Sequence, residues 1–300
     1  MTNYEIRVED RQFTFDKNHS PVERVQPGDQ VKFNTIDCFS GQLASESDLV
    51  GDIDFDQVNP GTGPLYVEGA EVGDVLAVRI DEIEVADYGV AVTYGVGALK
   101  DNSEVRTKII PIDNAAGHAT FNDIEIPLHK MIGVIGVAPA DEAVGCGRIG
   151  DHGGNMDNRK IQAGATVYFP VNTPGALLQI GDLHGAMGDG ELDGAGLECS
   201  GSATVTVEVI KDFHLDRPLI ETEDSWYTTA ARDTYEETLS LAMQDMQRLM
   251  KEAYSWDETD IDIYLSLDGH LGVNQGADLE AMPISLRLGI PKLDGKELIK

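Results

Sequence analysis

Thr204-Val205-Thr206-Val207-Glu208-Val209-Ile210 alternates polar and branched apolar side chains, residue by residue. A period of two is what an extended strand with one buried face requires, because successive side chains leave the backbone on opposite sides. Val31-Lys32-Phe33, Val75-Leu76-Ala77-Val78-Arg79-Ile80 and Thr166-Val167-Tyr168-Phe169 read as further strands. Three of these runs follow the same kind of punctuation, Pro27-Gly28-Asp29, Val72-Gly73-Asp74 and Ala163-Gly164-Ala165. A glycine free to take positive φ, followed by a small or turn-favouring residue, reverses the chain and starts the next strand. From the start to about Phe213 the chain therefore reads as mostly β, a sandwich or barrel.

After Trp226 the texture changes, with Ala231, Tyr235, Leu239, Ala242, Met246, Leu249 and Ala253 recurring at steps of three and four. That spacing predicts one amphipathic helix, whose Met243, Met246 and Met250 fill the core. Ser255 with Glu258 three residues on predicts a capping box opening a second short helix around Ile261, Tyr264 and Leu265. A final strand is expected at Ile284-Ser285-Leu286-Arg287-Leu288. No repeat, low-complexity tract or Pro/Ser-rich linker separates the parts. We therefore expect a β-rich catalytic region over 1–215, with a helical hairpin-like segment and last strand over 216–300 packed closely on it.

The chain has 22 basic and 53 acidic side chains, a net charge of −31, spread along its length. Such a surface repels nucleic acid and anionic membrane. No apolar run approaches the roughly 20 residues of a membrane span, and the N-terminus lacks a basic and apolar leader. Cys38, Cys146 and Cys199 are an odd and scattered set, unsuited to a disulfide framework or a CxxC knuckle. Reduced thiols and no leader predict a cytoplasmic protein, and we expect a homo-oligomer, a dimer.

Chemistry concentrates in two glycine-rich loops. Gly150-Asp151-His152-Gly153-Gly154-Asn155-Met156-Asp157 surrounds one histidine with carboxylates and a carboxamide. In Gly181-Asp182-Leu183-His184-Gly185-Ala186-Met187-Gly188-Asp189-Gly190-Glu191, Asp182 and His184 share a face if extended, and the glycines let Asp189 and Glu191 fold back. Nitrogen and carboxylate donors in such a set suit zinc or another borderline divalent ion. Asp37, after the strand ending at Phe33, is a candidate ligand or substrate-orienting group. Cys38 invites a nucleophile reading but needs a base and a depressed pKa, and packing is its simpler role. His19, His118, His129, His214 and His270 read as surface or capping residues.

At these clusters the chain resembles the acetamidase/formamidase family. The resemblance is carried by Thr35 to Gln42, Asn59-Pro60 through Gly63-Pro64, Tyr66 to Ala70, Ile135-Gly136-Val137-Ala138-Pro139, His152 to Asp157, and Gly181 to His184 with Gly188 to Glu191. It spans almost the whole chain. The resemblance implies a jelly-roll-like β architecture with appended helices, and hydrolysis of short aliphatic amides to carboxylate and ammonia. It points to His152, Asn155, Asp157, Asp182, His184 and Glu191 as site positions. Our role assignment makes His152, Asp182 and His184 metal ligands, with Asp157 or Asp37 completing the shell. The metal is taken as zinc first, with calcium as the alternative. Glu191 is the general base, Asp37 a second catalytic candidate and Asn155 a substrate contact. The alternatives are a cysteine amidase using Cys38, or a non-catalytic amide- or cation-binding β-protein. Leu192-Asp193 stands where formamidase-type members often carry cysteine, which leaves formamide and acetamide both open.

Overall fold

A computed structural model describes residues 3–95, 104–277 and 282–299. Among them, two large twisted sheets face each other. One runs through nine strands in the order Asn3–Ile6, Gln30–Thr35, Gly201–Ile210, Val75–Val85, Thr166–Pro170, Leu219–Glu221, Ser225–Arg232, Ile284–Pro291 and His270–Val273. The other includes Gly61–Val67, Met131–Gly136, Gly153–Asn155, Leu178–His184 and Glu198–Cys199. Gly201–Ile210 lies at the heart of the first sheet, between Gln30–Thr35 and Val75–Val85. Its inward Ala203, Val205 and Val207 pack with Phe33, Val78 and Ile80, and across the gap with Ile132, Ile135, Leu178 and Ile180. This is sheet-on-sheet packing, a sandwich.

Part of the nine-stranded sheet is buried on both faces. Leu76 and Val78 join the sandwich core, whereas Val75 and Ala77 on the same strand meet Trp226, Leu288, Ala242, Met246 and Leu249 in a second core beneath the helices. That explains why Val75 to Val78 is a continuous apolar run rather than an alternating one. Gly28, Gly73 and Gly164 take φ of 91°, 97° and 90°, as the three turns require. No helix among the described residues is long and apolar enough to cross a membrane.

The C-terminal third differs from the expectation in three ways. Leu219–Glu221, Ser225–Arg232, His270–Val273 and Ile284–Pro291 are four strands, where the pattern suggested one, and they extend the nine-stranded sheet through the pairing of Thr166 with Glu221. A boundary near 215 thus cuts across one continuous sheet. Ala231 belongs to a strand, and helix α1 spans Tyr235–Tyr254 behind the N-cap Thr234, whose hydroxyl accepts from the Glu237 N–H and donates to the Glu237 carboxylate. Ser255 closes α1 at φ 57°, so it cannot open the next helix, and Asp257 caps α2 over Glu258–Asp268. Met246 and Met250 are buried in the second core and Met243 packs at its edge.

Candidate active site

The strand Leu178–His184 runs antiparallel between Met131–Gly136 and Glu198–Cys199, and its end carries the densest charge in the interior. Register sets His184 opposite Glu198, and His184 Nε2 lies 3.1 Å from Glu198 Oε2 and 3.3 Å from Asp182 Oδ1. Asp182 departs from strand geometry with φ 54°, which swings its carboxylate toward the imidazole. Asp157 and Glu191, at φ 40° and 41°, reach the same place, so that one atom each of Asp157, His184 and Glu191 lies within 4.8 Å of the others. Cys38, Asp182 and Glu198 form a second set on the same criterion, joined to the first through His184. Left-handed backbone at non-glycine residues is uncommon and strained, and its recurrence at three acidic site residues marks a geometry maintained at a cost.

Gly133 makes room for these groups. It lies opposite Asp182 between the pairs Ile132↔Leu183 and Val134↔Gly181, and a Cβ there would stand 2.5 Å from Asp182 Oδ2 and 2.7 Å from Asp157 Oδ1. Gly133→Ala should therefore push the carboxylates apart and weaken metal binding by at least about tenfold, the scale for disturbing a ligand's orientation. Elemental analysis of the folded variant checks this; full metal occupancy would show that the methyl is accommodated elsewhere.

All six groups are buried. Burial opposes the positive charge on His184, but Glu198 and Asp182 outweigh it and hold the imidazolium pKa well above its usual value. Burial, and then Asp182, push Asp157 up to about 8. Burial also raises Glu198 to about 7, against the pull of His184, and lifts Glu191 well above the carboxylate range with Asp157 adding to it. Cys38 is likewise pushed up by burial, Glu198 and Asp182, the opposite of an activated thiolate. Four carboxylates around a single imidazole are short of positive charge. Asp157 Oδ1 is buried without a hydrogen-bond partner. An imidazole nitrogen, carboxylate oxygens and a thiol are the donor chemistry of a borderline divalent cation, so the residues fit a metal.

The cluster floors a cavity of about 730 Å³, lined also by Phe13, Phe55, Asn59, Tyr94, Asn155 and Met282. Asn155 Oδ1 accepts from Asn59 Nδ2 at 3.0 Å and Asn155 Nδ2 donates to Asp157 Oδ2 at 2.6 Å, which leaves one amide hydrogen for a ligand.

Of the residues singled out in the sequence, Asp157, Asp182, His184, Glu191 and Asn155 are brought together. His152 is not in either donor set. It packs edge-on against Phe15, ring centroids 5.1 Å apart, and its loop delivers Asn155 and Asp157 instead. Asp37 also stands apart: Oδ1 accepts from the Phe39 and Gly41 N–H groups at 3.0 and 3.2 Å, and Oδ2 from the Ser200 hydroxyl at 3.3 Å. These bonds shape the turn that presents Cys38, and Asp37 lies outside both donor sets. Asp189 turns away to Arg287. Glu198 was missed; its only local signal is a charge between Leu197 and Cys199.

Burial lowers His152 to about 4, against a small opposing pull from Asp151. The unfolded chain, with a pKa near 6.5, takes up a proton first as pH falls, so stability is unaffected above about 6.5 and drains away toward 4, by about 3 kcal/mol in total. His152→Gln should therefore lose less Tm than the parent between pH 7 and 5. Parallel declines would remove His152 as the cause, and loss of metal at every pH would make it a ligand.

The fold and the site together define a β-sandwich protein with a buried donor set of metal-centre type under an open cavity. The chain belongs to the Acetamidase/Formamidase family, whose profile matches residues 7–145 and 144–255. A predicted acetamidase/formamidase from Thermoanaerobacter tengcongensis superposes with TM-score 0.91 at 39% identity, covering 96% of this chain and 95% of that one. An acetamidase from Bacillus halodurans gives 0.91 at 37%, covering 96% and 97%. The formamidase of Methylophilus methylotrophus is 28% identical over 252 residues, 64% of this chain. The chain spans 62% of the length of that curated relative, and of a putative formamidase of Schizosaccharomyces pombe.

Proposed function

We propose that the chain is an amidohydrolase that splits short aliphatic amides into carboxylate and ammonia at a divalent metal centre, zinc before calcium. The observation that carries this reading is the buried charge deficit around His184: Asp157, Asp182, Glu191 and Glu198 converge on one imidazole at the floor of a cavity. Asp182, His184, Glu198 and Asp157 would hold the metal, with Cys38 Sγ at the edge of the set. A bound ion would supply Lewis acidity, polarising a carbonyl and lowering the pKa of water toward about 7.

The chain's own residues do the rest. Amide nitrogen donation deactivates the carbonyl, so the leaving amine needs a proton as well as a strong attack on carbon. Glu191 is buried with its pKa raised, so its ionised form is a stronger base than an ordinary carboxylate; it takes a proton from the attacking water and returns it to the departing nitrogen. Asn155, fixed by Asn59 and Asp157, presents its free amide hydrogen to the substrate carbonyl side. Burial of the floor excludes bulk water from the charges. The partner is a small amide, and a dimer is the expected assembly.

Ammonia release from formamide, acetamide and propionamide, with Zn²⁺, Mn²⁺ or Ca²⁺ supplied, tests the reading; no turnover of any of them overturns it. The rival with a Cys38 nucleophile has its thiol at the cavity wall in its favour. Cys38→Ala should keep most of the turnover, and complete loss in a folded, metal-loaded variant would transfer the mechanism to the thiol.

A further inference from the structure

Two residues before Glu191, Asp189 enters a second cavity of about 210 Å³, walled by His129, Arg159, Lys160, Gln162 and Arg287. Its chemistry is opposite to that of the first. A chain with 22 basic against 53 acidic side chains gathers three of those cations around one carboxylate here.

Arg287 is fixed in place before any ligand arrives. Its guanidinium donates to the Val273 carbonyl at 3.2 Å, to Asn274 Oδ1 at 3.0 Å and to Asp189 Oδ2 at 2.8 Å, with its side chain only 8% exposed. It lies across Gly272, where a Cβ would stand 2.5 Å from Arg287 Cζ, so the neighbouring strand keeps a bare backbone beneath it. Arg159 Nη1 lies 3.9 Å from the other Asp189 oxygen, and its Nε is buried without a hydrogen-bond partner. Lys160 stands 5.2 Å over the Tyr227 ring and has no ion pair among the described residues.

We propose that this cavity is a binding site for a small oxyanion of the carboxylate class, which takes the place of Asp189 between Arg287 and Arg159. Asp189 already shows the fit, with one oxygen toward each guanidinium. Guanidinium forks match a planar carboxylate, and Lys160 in the same wall adds a third positive charge. Asp189 lies between Gly188 and Gly190, half exposed, so its side chain can leave without moving a strand. The natural anion rests on the amidohydrolase reading, because a carboxylate is that reaction's product; the site itself does not.

Calorimetric titration of the whole chain with sodium acetate, and separately with inorganic phosphate, each against chloride at equal ionic strength, tests this. The net charge of −31 disfavours general anion binding, so a saturating heat requires a local site. Acetate should saturate, Arg159→Gln and Lys160→Gln should each weaken it roughly tenfold, the scale of a lost charge-assisted contact, and Asp189→Asn should tighten it by removing the competitor. Absence of saturation overturns the site, as does saturation unchanged in Arg159→Gln and Lys160→Gln, which would place acetate elsewhere. Saturation by phosphate alone overturns the carboxylate assignment. Because binding heat needs no turnover, failure here is separable from failure to hydrolyse amides.

Discussion

His184→Ala should yield a folded protein that holds little Zn²⁺ and releases no measurable ammonia from formamide. His184 supplies the single imidazole of the donor sets, 3.1 Å from Glu198 and 3.3 Å from Asp182. Loss of an outer-shell partner already weakens metal affinity roughly 10–100-fold, and deletion of the direct nitrogen donor should exceed that. The variant removes the positive partner from buried carboxylates, which costs stability unless they take up protons. Glu198 at about 7 and Asp157 at about 8 are poised to do so near neutrality. The sandwich core of Val205, Phe33, Ile135 and Ile180 does not depend on the ring, so circular dichroism should still report a β-rich fold. Should His184→Ala aggregate, His184→Asn keeps a polar group of similar reach and permits the same measurement. Metal stoichiometry by elemental analysis beside kcat decides: parental occupancy with parental turnover would return His184 to a structural role.

How much of this was legible in the sequence depended on whether the deciding contact was local. Alternating or β-branched runs and Gly-centred reversals placed the strands at Val31, Val75, Thr166 and Thr204 because each signal lies within a few residues. Three of the four C-terminal strands were not read; Leu219–Glu221 and His270–Val273 are too short to show a period and exist through pairing with distant partners. The cap of α2 failed for a similar reason: a left-handed Ser255 is indistinguishable in sequence from a capping one. Asp182 and His184, two apart, were singled out from spacing, though Asp182 takes φ 54° rather than strand geometry. Nothing local told which side chain of His152 to Asp157 would arrive, because the glycine pair allowed any of them. Glu198 enters only through its register opposite His184. In sequence, a carboxylate that caps its own turn, as Asp37 does, looks the same as one awaiting a ligand.

Glu191→Gln should separate proton transfer from metal binding, keeping the metal while kcat falls roughly 10²–10⁴-fold, the usual contribution of a positioned acid or base. The substitution preserves shape and removes the titrating oxygen. Glu191 sits within 4.8 Å of Asp157 and His184, yet it comes from a loop stapled to the chain around Asn274 rather than from the strands that fix Asp182 and Glu198. The Gly190 N–H donates to the Asn274 carbonyl at 3.1 Å, and Gly276 N–H returns to the Gly190 carbonyl at the same distance. Such a tether holds a proton carrier at the cavity floor while leaving the donors on the sheet to hold the ion. A carboxamide retains one acceptor oxygen, so formamide should still bind and KM should change far less than kcat. Metal content and the kcat against KM split, measured together, distinguish the roles. If Glu191→Gln loses the metal in step with its activity, Glu191 is a ligand, and the proton must travel by another of the buried carboxyls, Asp157 first.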